Sequence, residues 1–178
     1  GNTAVDILGH LAANIGGSPY FNINTTYTDG TGARVPNKVN FVAQASDNYS
    51  RGTALTDGDI LAIVQNAIPA LSGTPDPKGV YFVLTSQDVN ETSGFCTAYC
   101  GWHTMDPVGN TNVKYSFIGN PARCPSACTN GTASPNGNVG ADGMASIITH
   151  ELEEAASDPE LNAWYDFRGG ENADKCAW

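Results

Sequence analysis

The sequence predicts an α/β (α+β) domain: helices packed on a small mixed sheet. Strand-sized apolar runs such as Val80–Leu84 (VYFVL) alternate with amphipathic helical patterns, in the order helix, strand, helix, strand, strand, helix. No apolar run approaches the roughly 20 residues of a membrane helix, so no membrane span is expected. With 178 residues, 40% hydrophobic and 15% charged, the chain can bury one core and reads as a single domain over 1–178. It begins without Met and stops at KCAW, so flanking sequence is expected beyond one or both ends and any secretion signal is already removed.

The first helix is expected over Ala4–Ile15, where positions 5, 8, 11, 12 and 15 form an apolar stripe. His10 lies off that stripe and receives no role. Lys38–Ser46 alternates and reads as a strand. Leu55–Leu71 is the best amphipathic helix, capped by Thr56 or Asp57, with Ile60, Ile63, Val64, Ala67, Ile68 and Leu71 on one face. Gly79–Ser86 reads as a buried central strand because its apolar run is continuous. Asn112–Asn120 is a further strand, and loops rich in Cys, Gly and Pro are expected over 86–111 and 119–140. The last helix runs from Gly140 to Ser157, capped by Asp142. Met144, Ile147, Ile148, Leu152 and Ala155 take one side; His150, Glu151 and Glu154 take another.

Formal net charge is -10, which repels phosphate backbones and excludes nucleic acid as a partner. Acidic surplus also suits cation binding, with surface solubility the blander reading. Cys96, Cys100, Cys124 and Cys128 form two C-x3-C pairs, and Cys176 makes the count odd. Low lysine content and these pairs suit an extracellular protein with disulfides, rather than a zinc knuckle. Cys176 pairs either with Cys124 or Cys128 or outside the given sequence. N-x-[ST] sequons at Asn24, Asn48, Asn90 and Asn130 agree with secretion as a glycoprotein.

His150-Glu151-Leu152-Glu153-Glu154 reads H-E-x-x-E, one letter from the H-E-x-x-H of zinc peptidases. Residues four apart share a helix face, so His150 and Glu154 can grip one ion while Glu151 reaches a water on it. A zinc site needs a third protein ligand. Asp158, Asp166, Glu171 and Asp174 are the candidates; Asp158 precedes Pro159 and has a capping or turn role to fill. Glu171, 21 positions after His150, is favoured as ligand, Asp174 as the group orienting His150, and Asp166 stays an alternative. His103, beside Cys100 in a loop, is read as structural, with an extra metal ligand or an oxyanion stabiliser as the alternatives. Trp102, Trp164 and Trp178 are read as packing, with a sugar-binding surface as the alternative.

Ser18–Phe21, Tyr27–Gly32, Gly79–Val89, Phe95–His103, Arg123–Cys128, Pro135–Asp166 and Glu171–Cys176 together resemble the EXORDIUM / phosphate-induced protein family. The resemblance covers nearly the whole chain and is most specific from Pro135 to Trp164. It implies a secreted, cell-wall-associated protein of a kind best known in plants, acting in growth and wall-related signalling. It also implies retention of the H-E-x-x-E segment. Plant members tend to carry Asn where Asp158 stands and no acid where Asp166 stands, which favours Glu171 as third ligand.

Two functions from different classes follow. One is a secreted zinc-dependent hydrolase, most simply a peptidase: His150, Glu154 and Glu171 hold zinc, Glu151 is the base, and His103 steadies an oxyanion. The other is a non-catalytic extracellular glycoprotein, acting in the wall or matrix or building an assembly, with structural zinc or calcium. Its partner is a peptide or a cell-wall or matrix component.

Overall fold

A computed structural model describes residues 3–129, 131 and 133–176, with the side chain of Cys176 outside the description. Helix α1, Ala4–Asn14, starts at Thr3, whose side chain accepts from Asp6 N while Asp6 returns the bond to the Thr3 backbone. Strand β1, Ala54–Leu55, leads into α2, Asp57–Leu71, which Thr56 and Asp59 cap in the same reciprocal way. Strand β2 is Val80–Leu84 and β3 is Asn90–Glu91. Strands β4, Gly101–Val108, and β5, Thr111–Ile118, form a hairpin. A one-turn helix α3, Pro125–Cys128, precedes α4, Val139–Ser157. A 3-10 turn, Ala173–Cys176, follows.

The main sheet has the order β2-β5-β4, with β2 parallel and β4 antiparallel to β5; β1 and β3 pair in a small parallel sheet. Helices therefore pack on a small mixed sheet, as expected. Successive β5 side chains point to opposite faces. Val113, Tyr115 and Phe117 join Ile60, Val64 and Ile68 of α2 in one core. Ile118 joins Ile7 and Leu8 of α1 and Met144, Ile147 and Ile148 of α4 in the other. The result is three layers, α2, sheet, then α4 with α1.

Several expectations are corrected. Residues 38–46 form no strand. Alternation needs a neighbouring strand to pair with, and here Phe41 and Val42 stay exposed. The buried face of α1 carries Ile7, Leu8 and Ile15, while Val5 is 59% exposed. β2 lies at the sheet edge, and β5 takes the central place. The expected loop 86–111 contains β4. Its Pro107 hid the strand, but β4 is an edge strand, where a missing N–H costs no ladder bond. The hairpin signal was present: Val108 and Thr111 flank Gly109-Asn110, and Gly109 has φ +62. Helix α4 starts earlier than expected, capped by Asn138; Asp142 instead accepts from Ser134 Oγ at 2.6 Å and from Asn136.

The two C-x3-C motifs are cross-bridged. Cys96 joins Cys124 and Cys100 joins Cys128, each across 28 positions. The bonds staple the segment entering β4 onto α3.

Candidate metal centre

The site is built where β4 crosses α4. On β4, Trp102 turns toward Tyr115 and Phe117 in the α2-side core. Gly101 and His103, one position to either side, therefore face α4. Gly101 lets the two elements touch: a Cβ there would lie 2.5 Å from Ile147 Cγ2 and 3.2 Å from Glu151 Oε1. His103 is thus a strand residue whose side chain is 4% exposed, and not a loop residue.

His103 Nδ1 lies 3.3 Å from Glu151 Oε2 and 3.5 Å from Glu154 Oε2. Its Nε2 faces Glu171 Oε1 at 3.7 Å. One turn along α4, His150 Nε2 is 3.0 Å from Glu154 Oε1 and 3.5 Å from Asp174 Oδ1. Glu154 stands at the centre, one carboxylate oxygen toward each imidazole. Asp174, rather than Glu171, sits beside His150, while Glu171 sits beside His103. The other two candidate acids hold turns, although Asp158 is near enough to Glu171 for its charge to act on it, and its Oδ2 is buried without a hydrogen-bond partner among the described residues. Asp158 is fully buried at the end of α4, where Oδ1 accepts from the backbone N–H groups of Asn162 and Ala163 at 2.7 and 2.8 Å. Asp166 pairs with Lys175 Nζ at 2.5 Å and accepts from two backbone N–H groups of its own turn.

Burial of so many acids costs free energy unless cations answer them. Burial alone would lower the His103 pKa, but hydrogen bonds to Glu151 and Glu154 and the charge of Glu171 raise it to about 10. His150 shifts upward too, with burial opposing and Glu154 driving the rise. Burial would raise Glu154, yet the two imidazoles pull it down to about 2. Glu151 is pushed up by burial despite its bond to His103. Burial, opposed by His103 and helped by the neighbouring acids, lifts Glu171 to about 7.

The donor set fits a metal ion. His103 Nε2, Glu154 Oε1 and Glu171 Oε1 are all buried without a hydrogen-bond partner among the described residues. Glu154 Oε1 is close to His150 but misaligned for a hydrogen bond. Imidazole nitrogen with carboxylate oxygen is a set for zinc or a similar transition ion; calcium takes oxygen ligands.

Sequence reasoning underrated His103, because its signal lay in the unread β4 strand. Of the tryptophans, Trp102 packs in the core and borders a cleft of about 380 Å³ that His103 also lines, though none of the cluster's carboxylates does. Trp164 packs edge-on against Tyr27 and donates to Thr28 O at 2.9 Å. Trp178 lies outside the described residues. Among the sequons, Asn24 is fully buried and leaves no surface for a glycan, Asn48 is exposed, Asn90 is half-buried on β3, and Asn130 lies outside the described residues.

These features define a class: a disulfide-stapled α+β domain with a histidine–carboxylate cluster buried between sheet, helix and C-terminal turn. The family model described as "Phosphate-induced protein 1 conserved region" matches residues 12–177, and the chain belongs to that family. It is 36% identical to Protein EXORDIUM-like 3 of Arabidopsis thaliana, over 78% of this chain and 47% of that protein. It is likewise 36% identical to Protein EXORDIUM-like 5 of the same plant, over 83% and 46%. Protein PHOSPHATE-INDUCED 1 of Nicotiana tabacum is 26% identical, over 67% and 41%. The chain spans about half the length of the curated relatives it matches. No solved structure matches it. No helix among the described residues is long and apolar enough to cross a membrane.

Proposed function

We propose that this chain is an extracellular, non-catalytic member of its family, in which the H-E-x-x-E helix holds a structural divalent ion. The observation that carries the reading is the cluster around Glu154, whose Oε1 is buried without a hydrogen-bond partner among the described residues and lies 3.0 Å from His150 Nε2. An ion held by His150, Glu154 and Asp174 would tie α4 to the C-terminal turn. Bound there, it would neutralise buried carboxylates and add stability as any ligand of the native state does. Zinc is preferred over calcium because an imidazole is in the set.

One feature favours a structural role over hydrolysis. A general base needs access to a metal-bound water, but the Glu151 side chain is 5% exposed and bonded to His103. An extracellular location is supported by the two disulfides and by family membership. The partner implied is a cell-wall or matrix component.

The test is elemental analysis of protein purified without added metal, paired with thermal unfolding in chelator and a peptide-hydrolysis assay. Co-purifying zinc, a lower melting temperature in chelator and no turnover are expected. A metal-free protein whose melting ignores both zinc and chelator would overturn the metal reading. Peptide hydrolysis that disappears in Glu151→Gln would overturn the non-catalytic one.

A further inference from the structure

We infer that the cluster is a two-ion centre in which Glu154 bridges the ions. The inference rests on the metal reading above and extends it.

Two sets of three ligand atoms each gather within 4.8 Å of one another, and Glu154 belongs to both. The first comprises His150, Glu154 and Asp174; the second comprises His103, Glu151 and Glu154. Each offers one imidazole nitrogen and two carboxylate oxygens. An ion with bonds of about 2.0–2.2 Å reaches only donors within roughly 4.4 Å of each other. The two imidazoles do not fall in a common set, so one ion cannot use both. Glu154 resolves this by geometry: Oε1 is 3.0 Å from His150 Nε2, and Oε2 is 3.5 Å from His103 Nδ1. A carboxylate presenting one oxygen to each of two sites is the device that holds ions about 3.5–4 Å apart in two-metal centres.

Charge gives the same count. The cluster gathers the carboxylates of Glu151, Glu154, Glu171 and Asp174 around two imidazoles. Metal-bound imidazoles are neutral, so the carboxylates alone set the charge, about -4, which two divalent ions balance.

The second site also accounts for two stranded atoms. An ion on His103 Nδ1 fixes the ring proton on Nε2. That proton faces Glu171 Oε1 at 3.7 Å, and both atoms otherwise lack a hydrogen-bond partner among the described residues. A metal-bound imidazole commonly donates its other N–H to a carboxylate, and Glu171 is the carboxylate placed to accept that proton once the 3.7 Å gap closes. Glu171 is then the residue that orients His103, and Asp174 is a ligand. Glu151 becomes a ligand too. The donor sets suit zinc, manganese(II) or iron(II).

The probe is manganese(II), because a bridged pair has an exchange-coupled EPR spectrum that an isolated ion lacks. Native chain is stripped with chelator, reloaded with manganese(II) or, in parallel, zinc, desalted and analysed for metal. About two ions per chain and a coupled manganese spectrum are expected. His103→Ala should retain about one ion and lose the coupling, and His150→Ala should do the same. About one ion per chain in the native protein, lost in His150→Ala and kept in His103→Ala, overturns the pair but leaves the single-ion reading standing. About two ions with an uncoupled spectrum overturn the bridge. No ion with either metal overturns both. The native spectrum needs no variant, so a poorly folding mutant does not blunt the test.

Discussion

His103 Nδ1 and Glu151 Oε2 meet at 3.3 Å although 48 positions separate them. The meeting depends on Gly101, two residues before His103 on the same strand face. Any Cβ at 101 would lie 2.5 Å from Ile147 Cγ2 and 2.8 Å from Phe117 O. Gly101→Ala must therefore move α4 off the sheet. Such overpacking should cost about 1–3 kcal/mol, read as a lower urea midpoint with unchanged slope. A variant as stable as the native protein would show that the helix gives way freely and that the close approach is not needed.

The disulfides hold the same end of β4, where Cys100 directly precedes Gly101. Cys100–Cys128 closes a loop across 28 positions, and the S–S bond lies between the two cores. Replacing both cysteines by serine should cost about 2–4 kcal/mol, mostly by freeing the unfolded chain. Thermal unfolding of the double variant checks this. The loss should match that of native protein reduced selectively at the same bond. A smaller loss would mean that Cys96–Cys124, which encloses an overlapping loop, already supplies the restraint.

Asp158 separates a ligand role from a turn role. Its Oδ1 accepts from the backbone N–H groups of Asn162 and Ala163. An amide oxygen can accept the same bonds, so Asp158→Asn should be nearly neutral. Asp158→Ala leaves two part-buried donors without their acceptor and empties a fully buried position, and should cost about 1–3 kcal/mol. Metal content should be unchanged in Asp158→Asn. Loss of metal in that variant would reinstate Asp158 as a ligand.

How much of this was legible in the sequence depends on the range of the interaction. Helix α2 was readable because its signals are local: Thr56 and Asp59 cap it, and Ile60, Val64 and Ile68 recur at helical spacing. His150 and Glu154 were readable for the same reason, being one turn apart. The cores on either face of β5 were readable in kind, from its apolar residues, but not which strand was central, because that depends on pairing. His103 was readable as a candidate, but its place on a strand facing α4 was not. It reaches the cluster through the β4–β5 hairpin, and Pro107 disguised the strand. Asp174 was expected beside His150, but the placement of Glu171 at His103 instead depends on the segment leading into the 3-10 turn at Ala173–Cys176, which no periodicity announces. Residues 38–46 failed in the opposite sense: the alternation was present and the partner strand was not.

Away from the cluster, Glu91 is a buried carboxylate, 1% exposed. Its acceptors are met by Ser93 N at 2.9 Å and by a short bond from the Tyr99 hydroxyl. Tyr99→Phe removes that donor, leaves a buried carboxylate oxygen unmatched and should cost about 1–3 kcal/mol near neutral pH. The pair also makes a pH prediction. Burial, the bond to Glu91 and the charges of Glu91 and Asp57 raise the Tyr99 pKa from 10.0 to about 12, with Ser93 opposing. The folded pKa lies above the unfolded one. This contribution is therefore fully present below about pH 10 and is lost as pH rises toward about 12, because the unfolded phenol releases its proton first. Urea unfolding across that window should fall more steeply for the native chain than for Tyr99→Phe. Equal slopes, or a tyrosinate absorbance step for Tyr99 near pH 10, would mean that the hydroxyl is not held by Glu91.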